Sequence, residues 1–351
     1  MRSTLRSLLA PAMAALALAA CGRDDAPRDT TAADSTARKE DPRALYGVAA
    51  GQNVRVTPAE IEVLELPPGW SGMRIAALSD FNLGLWADNE RVAAAAVRRA
   101  VEARPDLFVL LGDYMLRAPG DAEALGRVLA PLRGRRVLAV LGDRDMQDDP
   151  EGPDSLMIRT VAALEGAGVQ VLRNTRARIM HGGDTAYVGG VDPYVARRPE
   201  WRQAEIYGGV PSSVVLLSHM PAAALSVPRD RYPAVLAGHT FCGGVEVPGT
   251  PRLTWFNSSV LPGTPSPATT RIYRVRGSTL FTTCGIGYTF VPVRFGYPPE
   301  VALVTLRAVG GAPQQADSAA AAQANVDSLI QAFQQRDTAR GGEAEGDTTG
   351  D

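Results

Sequence analysis

The sequence predicts an α/β fold of two mixed β-sheets with helices outside. Three observations carry this reading. First, five short apolar runs each stop at Ser or Gly followed by Asp or His: Ile75–Leu78 at Ser79-Asp80, Val109–Leu111 at Gly112-Asp113, Val137–Leu141 at Gly142-Asp143, Val214–Leu217 at Ser218-His219, and Ala234–Ala237 at Gly238-His239. Short continuous apolar runs read as strands covered on both faces. Second, residues 73–141 alternate strand and helix as β-α-β-α-β, the rhythm of parallel strands with crossover helices. Third, beyond Gly168 the strands become close-set, with turn residues between them, which calls for a second sheet.

Each element has its own local reason. Val54–Leu66 alternates through Val54, Val56, Ile61 and Val63 and predicts an edge strand or hairpin, broken by Pro67-Pro68-Gly69. Met73–Leu78 is the first core strand. Glu90–Ala103 is rich in Ala and Val, stops before Pro105 and predicts a helix. Strand 107–111, helix 121–133 and strand 136–141 follow. Asp154–Gly168 predicts a further helix, with Gly166 and Gly168 suiting its C-terminal turn. Val169–Leu172, Ala177–Met180 and Thr185–Val191 read as strands, the last two joined by a Gly-Gly-Asp hairpin turn. Strands at 214–217, 234–237, 271–276, 279–283 and 301–306 complete one domain over 44–310.

The two ends are different material. Arg2 and Arg6 precede an apolar run from Leu8 to Ala20, the pattern of a signal peptide over residues 1–20. A spanning helix needs about 20 apolar residues, and this run is shorter. Leu18-Ala19-Ala20-Cys21 resembles a bacterial lipobox, which implies a lipidated Cys21 and a membrane anchor. Residues 21–43 lack apolar periodicity and read as a flexible tether. That places the domain in the bacterial cell envelope, in the periplasm or outside. Residues 311–351 are low-complexity, with one marginal helix predicted at Ala316–Gln335. The whole chain has 351 residues, is 45% hydrophobic and carries a formal net charge of −2. It can bury a full core and offers no basic face, so nucleic acid is not suggested as a partner.

Three Asp and two His therefore converge at strand ends, where ligands of α/β sheets collect. Carboxylates and imidazoles together are a metal-site composition. The segments SDFNLG, LLGDYM, LGDRDM, SHMP and AGHTFCGG resemble, in order, the Asp-x-His, Gly-Asp, Gly-Asn-His-Asp, His and Gly-His-x-His motifs of the calcineurin-like metallophosphoesterases. The resemblance runs from about Val54 to Arg307 and is nearest the bacterial envelope branch related to UDP-2,3-diacylglucosamine hydrolases. It implies a layered sandwich of two mixed β-sheets flanked by helices. It also implies a hydrolase of phosphoric esters or pyrophosphates, acting on a phosphate-containing small molecule or lipid headgroup with divalent metal (Mn, Zn or Fe).

Carried over position by position, the resemblance assigns a first metal to Asp80, Asn82, Asp113 and position 241. It assigns a second to the shared Asp113 with Asp143, His219 and His239. Four positions depart from the family. Asn82 replaces a His, Phe241 replaces a His and cannot ligate, Asp143 replaces an Asn, and Arg144 replaces the catalytic His. The expectation is about one metal per chain, in the second site. Arg144 offers a permanent charge suited to phosphate, or a substitute for the first cation among Asp80 and Asp143, but it releases no proton at neutral pH. Asp80 and Asp113 read either as ligands or as partners of Arg144, and Asn82 either as a ligand or as a turn cap. Trp86, Tyr114 and Phe241 read as pocket wall. His181 matches no motif. Cys242 and Cys284 each follow a motif that the family places near its active site. A disulfide, two free thiols, and Cys242 as a metal ligand all remain open. Two function classes follow: an impaired enzyme, or a pseudoenzyme that binds a ligand or partner without turnover.

Overall fold

The computed structural model describes residues 54–309 except 117–119, 148–154, 194–209, 211, 228–230, 244–245, 248–249, 255–270, 276, 290–293 and 295–296. The signal peptide, Cys21, the tether and the tail predicted above lie outside the described residues.

The strands are β1 (Arg55–Val63), β2 (Arg74–Leu78), β3 (Leu107–Leu111), β4 (Val137–Val140), β5 (Gln170–Val171), β6 (Thr175–His181), β7 (Asp184–Gly190), β8 (Val215–Leu217), β9 (Ala234–Ala237), β10 (Glu246–Val247), β11 (Thr250–Thr254), β12 (Ile272–Val275), β13 (Ser278–Thr282) and β14 (Glu300–Ala308). The helices are α1 (Ala87–Glu102), α2 (Asp121–Leu129), α3 (Ser155–Gly166) and the short α4 (Ala223–Ser226). One six-stranded sheet has the order β1-β14-β2-β3-β4-β5, the other β12-β13-β9-β8-β7-β6, and β10 pairs with β11 alone. Both large sheets are mixed. In the first only β14–β2 is antiparallel. In the second, β7, β8, β9 and β13 run parallel between antiparallel outer partners.

Alternate side chains of each strand point to opposite faces, and both faces are apolar. Ala76, Leu78, Phe108, Leu110 and Ala139 pack under α1, α2 and α3. Ile75, Ala77, Val109, Leu111, Leu138 and Val140 meet Val188, Val215, Leu217, Ala234 and Leu236 of the other sheet. Leu216, Val235 and Ala237 face outward under Ala223, Ala224 and Tyr232. The layers are therefore helices, sheet, sheet and a thin outer cover. This explains why the core strands carry continuous rather than alternating apolar runs.

Several boundaries moved for identifiable reasons. The predicted helix 121–133 stops at Leu129 and tightens into a 3-10 turn over Ala130–Leu132, where Pro131 cannot donate to the α-ladder. The predicted strand 169–172 shortens to the two residues of β5. Val54–Leu66 is not a hairpin: β1 is a single edge strand pairing in parallel with the distant β14. Its Pro58 is tolerated at that edge. The β6–β7 hairpin turns at Gly182-Gly183 as predicted.

Candidate metal centre

All five apolar runs end at one edge of the paired sheets, so the residue after each run enters a common space. Their turns are tight. Gly112 sits at φ 94°, and a Cβ there would lie 2.5 Å from the Gly142 nitrogen and 2.8 Å from His219 Nδ1. Only Gly fits between those neighbours. Of nine non-Gly residues with positive φ among the described residues, six are in this space: Asp80, Asn82, Asp113, His239, Phe241 and Cys242. Left-handed backbone at such residues is costly and clusters where a site over-determines it.

His219 is fully buried. Its Nδ1 lies 2.7 Å from the Leu111 carbonyl. A carbonyl only accepts, so Nδ1 carries a proton and Nε2 is the nitrogen turned inward. That Nε2 lies 3.0 Å from His239 Nδ1, 3.1 Å from Asp143 Oδ1 and 3.5 Å from Asp113 Oδ1. His239 Nδ1 is itself 3.2 Å from Asp143 Oδ1. Two imidazoles and two carboxylates thus aim at one point. Asp143 Oδ1 is buried there with no hydrogen bond of good geometry, and so is Asp80 Oδ1. Buried anionic oxygens without donors need a cation or a proton. Donor atoms of Asp143, His219 and His239 lie within 4.8 Å of one another, as do those of Asp80, Asp113 and His219. The residues present therefore fit a divalent metal.

The electrostatics agree. Burial opposes charge on His219, but the carboxylates of Asp113, Asp143 and Asp80 outweigh it and hold its imidazolium well above the ordinary range. Burial, with Asp143, Asp145 and Asp80 outweighing His219, pushes Asp113 well up. Burial pushes Asp143 up too, yet its pairing with His219 and His239 wins and holds it well below the usual carboxylate range. Crowded carboxylates thus favour taking up protons or another positive charge.

The first-metal positions are arranged differently. Arg144 Nη1 donates to Asn82 Oδ1 at 3.3 Å, Nη2 donates to Thr289 Oγ1 at 3.0 Å, and Nε lies 3.5 Å from Asp113 Oδ2. The expectation that Arg144 sits among Asp80 and Asp143 is corrected: it pairs with Asp113 and Asn82, because the Arg144 amide also donates to Asp113 Oδ1 and tethers the residue there. Asn82 Oδ1 accepts from Arg144, while its Nδ2 donates to the Asp80 carbonyl at 3.4 Å within the same turn. Asp80 Oδ2 accepts from Ser79 Oγ at 2.5 Å and from the His239 amide at 3.2 Å. Phe241 is buried beneath the Arg294 guanidinium, 5.2 Å from its ring centre.

Tyr114 is not pocket wall. Its hydroxyl donates towards the Leu110 and Val140 carbonyls and ties β3 to β4. Trp86 reaches from the start of α1 and donates to the Thr289 carbonyl at 2.6 Å. Cys242 and Cys284 are joined in a disulfide with Cα atoms 4.7 Å apart. That overturns the free-thiol reading and the reading of Cys242 as a metal ligand, because a bonded sulfur offers no thiolate. His181 ends β6, at the opposite edge of the sheet from the centre.

Three residues escaped the sequence reading. Asp145 is fully buried and accepts from the amides of Asp113, Tyr114 and Gly142 at 2.7–2.9 Å, so it sets the turns carrying Asp113 and Asp143. Burial raises its pKa to about 6. Its signal was legible: it is the last residue of Gly-Asp-Arg-Asp. Arg294 and Thr289 stand in a stretch without pattern. Burial lowers Arg294 to about 10, so it stays charged at neutral pH while donating to the carbonyls of Cys284 and Gly287.

A family model described as calcineurin-like phosphoesterase matches residues 73–243. A transmembrane protein with metallophosphoesterase domain from Danio rerio is 28% identical over 287 residues, covering 75% of this chain and 60% of its own. An uncharacterized metallophosphoesterase, YkuE, from Bacillus subtilis (strain 168) is 23% identical over 265 residues, 72% of this chain and 86% of its own. The chain thus spans about 60% of the length of the vertebrate relative. Among solved structures, phosphopantetheinyl hydrolase from Mycobacterium tuberculosis superposes with a TM-score of 0.37 at 13% identity, over 70% of this chain and 100% of that one. Among the described residues no helix is long and apolar enough to cross a membrane. In motif order, paired mixed sheets and converging Asp and His side chains, the chain is similar to the calcineurin-like phosphoesterases, whose family model matches residues 73–243.

Proposed function

We propose that the chain is a slow, metal-dependent hydrolase of phosphoric esters or pyrophosphates that works with one divalent ion. The carrying observation is the convergence of His219 Nε2, His239 Nδ1, Asp143 Oδ1 and Asp113 Oδ1 on one point. These four groups would hold the ion, enough for four-coordination. Bound there, a divalent ion supplies Lewis-acid charge at the phosphoryl oxygens and lowers the pKa of water.

The chain's own residues do the rest. The Leu111 carbonyl fixes the His219 tautomer. Asp145 fixes the two carboxylate turns. Arg144 lies beside them with part of its guanidinium open to solvent and draws in an anionic substrate. Arg144 keeps its proton, so the leaving group takes its proton from water. Losing a general acid costs typically ~10²–10⁴-fold in rate, which supports a slow enzyme. The resemblance to UDP-2,3-diacylglucosamine hydrolases supports a lipid phosphate or nucleotide-sugar pyrophosphate as substrate. The lipobox-like run supports an envelope lipoprotein anchored through Cys21.

One observation favours a second reading, a binding module without turnover: the first-metal space is occupied by Arg144 and walled by Phe241. An aryl-phosphate assay separates the two. Mn-loaded parent should hydrolyse the ester slowly, and chelated parent and His219→Ala should not. Equal rates in all three would sink the enzyme reading.

A further inference from the structure

Resting on the metal-centre reading above, we propose that the Cys242–Cys284 disulfide is a positioning element for the metal centre, so that the centre reaches full metal affinity only after the chain has been oxidised. The bond joins two loops that meet at the centre. One is the turn after β9. It holds His239, Phe241 and Cys242 at φ 69°, 51° and 51°, a run of left-handed backbone that L-residues adopt at a cost. The structure ties this turn through the His239 amide to Asp80 at 3.2 Å, the Thr240 amide to the Gly238 carbonyl at 2.8 Å and the Cys242 amide to Thr240 Oγ1 at 3.4 Å, with the His239 ring against His219 and Asp143 and the Phe241 ring beneath Arg294. Left-handed backbone keeps its shape only while its surroundings fix it, and a covalent bond at Cys242 fixes it directly.

The other loop is well anchored. The Cys284 amide donates to buried Glu300 at 2.8 Å, and the Cys284 carbonyl accepts from Arg294 at 2.7 Å. The next residues lie along the first motif: the Ile286 amide donates to the Ser79 carbonyl at 2.9 Å and the Gly287 amide to the Asp80 carbonyl at 2.7 Å. Farther on, Thr289 seats Arg144. The disulfide thus fastens the strained His239 turn to a loop that is itself bonded to the Asp80 segment. Both cysteines are buried, at 0% and 4% exposure, so once formed the bond is a lasting staple rather than an exposed, readily cycled pair.

Formation removes two electrons and two protons from the thiols and needs a thiol-oxidising partner, which the bacterial envelope holds and the cytoplasm does not. A chain still in a reducing compartment would keep its thiols and bind metal weakly; loading would follow oxidation.

The test compares metal binding by titration with Mn²⁺ alone in three samples: oxidised parent, parent reduced after folding with a phosphine, and Cys242→Ser/Cys284→Ser, which also removes thiols that could ligate metal. Circular dichroism reports the fold. Leu125→Ala, a truncation on the buried face of α2, serves as a variant that loses stability but keeps the staple. The expected result is that reduced parent and double variant remain folded and bind Mn²⁺ about tenfold or more weaker, in the range of other changes that orient ligands from outside, while Leu125→Ala binds as the parent does. Equal affinity with and without the bond overturns the staple alone. So does a Leu125→Ala variant weakened as much as the double variant, because the effect would then be general stability. A chain that can be neither reduced nor folded without the bond also overturns it, since the bond would serve the fold. No Mn²⁺ on any sample removes the metal-centre reading and the staple with it.

Discussion

The two halves of the centre share Asp113 and differ in what they oppose to it. On one side His219, His239 and Asp143 present two imidazole nitrogens and a carboxylate, and Asp143 Oδ1 has no hydrogen bond of good geometry. On the other side the chain supplies its own cation, Arg144, with Asn82 and Thr289 as its seat. The seat is prepared in advance. Buried Asn89 donates to the Asn82 carbonyl at 2.7 Å and to the Tyr288 carbonyl at 3.2 Å, and accepts from the Tyr288 amide at 2.8 Å, so one α1 side chain clamps both loops that hold Arg144. A fixed guanidinium and a metal ion repel each other at such range. One half is thus built to attract a cation and the other is already neutralised by one.

The sharpest way to break this contrast is to empty the attracting half. His219→Ala removes the only imidazole that faces Asp113 and Asp143 together; metal affinity should fall by more than the roughly 10–100-fold typical of an outer-shell change, read by metal titration. If the variant binds as the parent does, the ion sits elsewhere. Next, the neutralised half can be reopened. Asn82→His, Phe241→His and Arg144→His together should raise metal uptake towards two per chain and raise aryl-phosphate turnover by roughly 10²-fold, the low end of what a general acid contributes. Unchanged uptake would show that Arg144 is not what excludes the ion.

A smaller effect concerns the support shared by both halves. Asp145→Asn must turn an amide N–H₂ towards at least one of three backbone N–H donors. It should cost roughly 1–3 kcal/mol in chemical denaturation and weaken metal binding as well. A loss in neither would mean that the Asp113 and Asp143 turns hold themselves. Smallest is a pH effect in metal-free protein. The raised His219 pKa contributes stability that is complete below about 6.5, its unfolded value, and is lost as pH rises through the folded value. Metal-free Tm should therefore fall from neutral to alkaline pH, while metal-loaded protein, whose cation remains, should not follow it. Parallel curves would place the charge balance elsewhere.

Much of this was legible in the residues because buried strands and their ends have local signatures. Runs such as Val109–Leu111 before Gly112-Asp113 gave strand, direction and site residue at once. What was not legible was long-range. Nothing local to Val54–Leu66 says that it pairs in parallel with β14, some 240 positions on. Arg294 and Thr289 lie where no period marks a role, and they matter only because the fold brings that stretch onto Asp80 and Arg144. The partner of Arg144 was only partly legible for the same reason. Charge alone allowed Asp80, Asp113 or Asp143, and the fold selects Asp113, with Asn82 beside it.

The central claim, one attracting half and one neutralised half, is tested most directly by elemental analysis of purified, oxidised chain after exposure to excess Mn²⁺ or Zn²⁺ and removal of free ion. The account predicts about one ion per chain, lost in His239→Ala. Two tightly held ions per chain would contradict it, as would none with His239→Ala behaving as the parent.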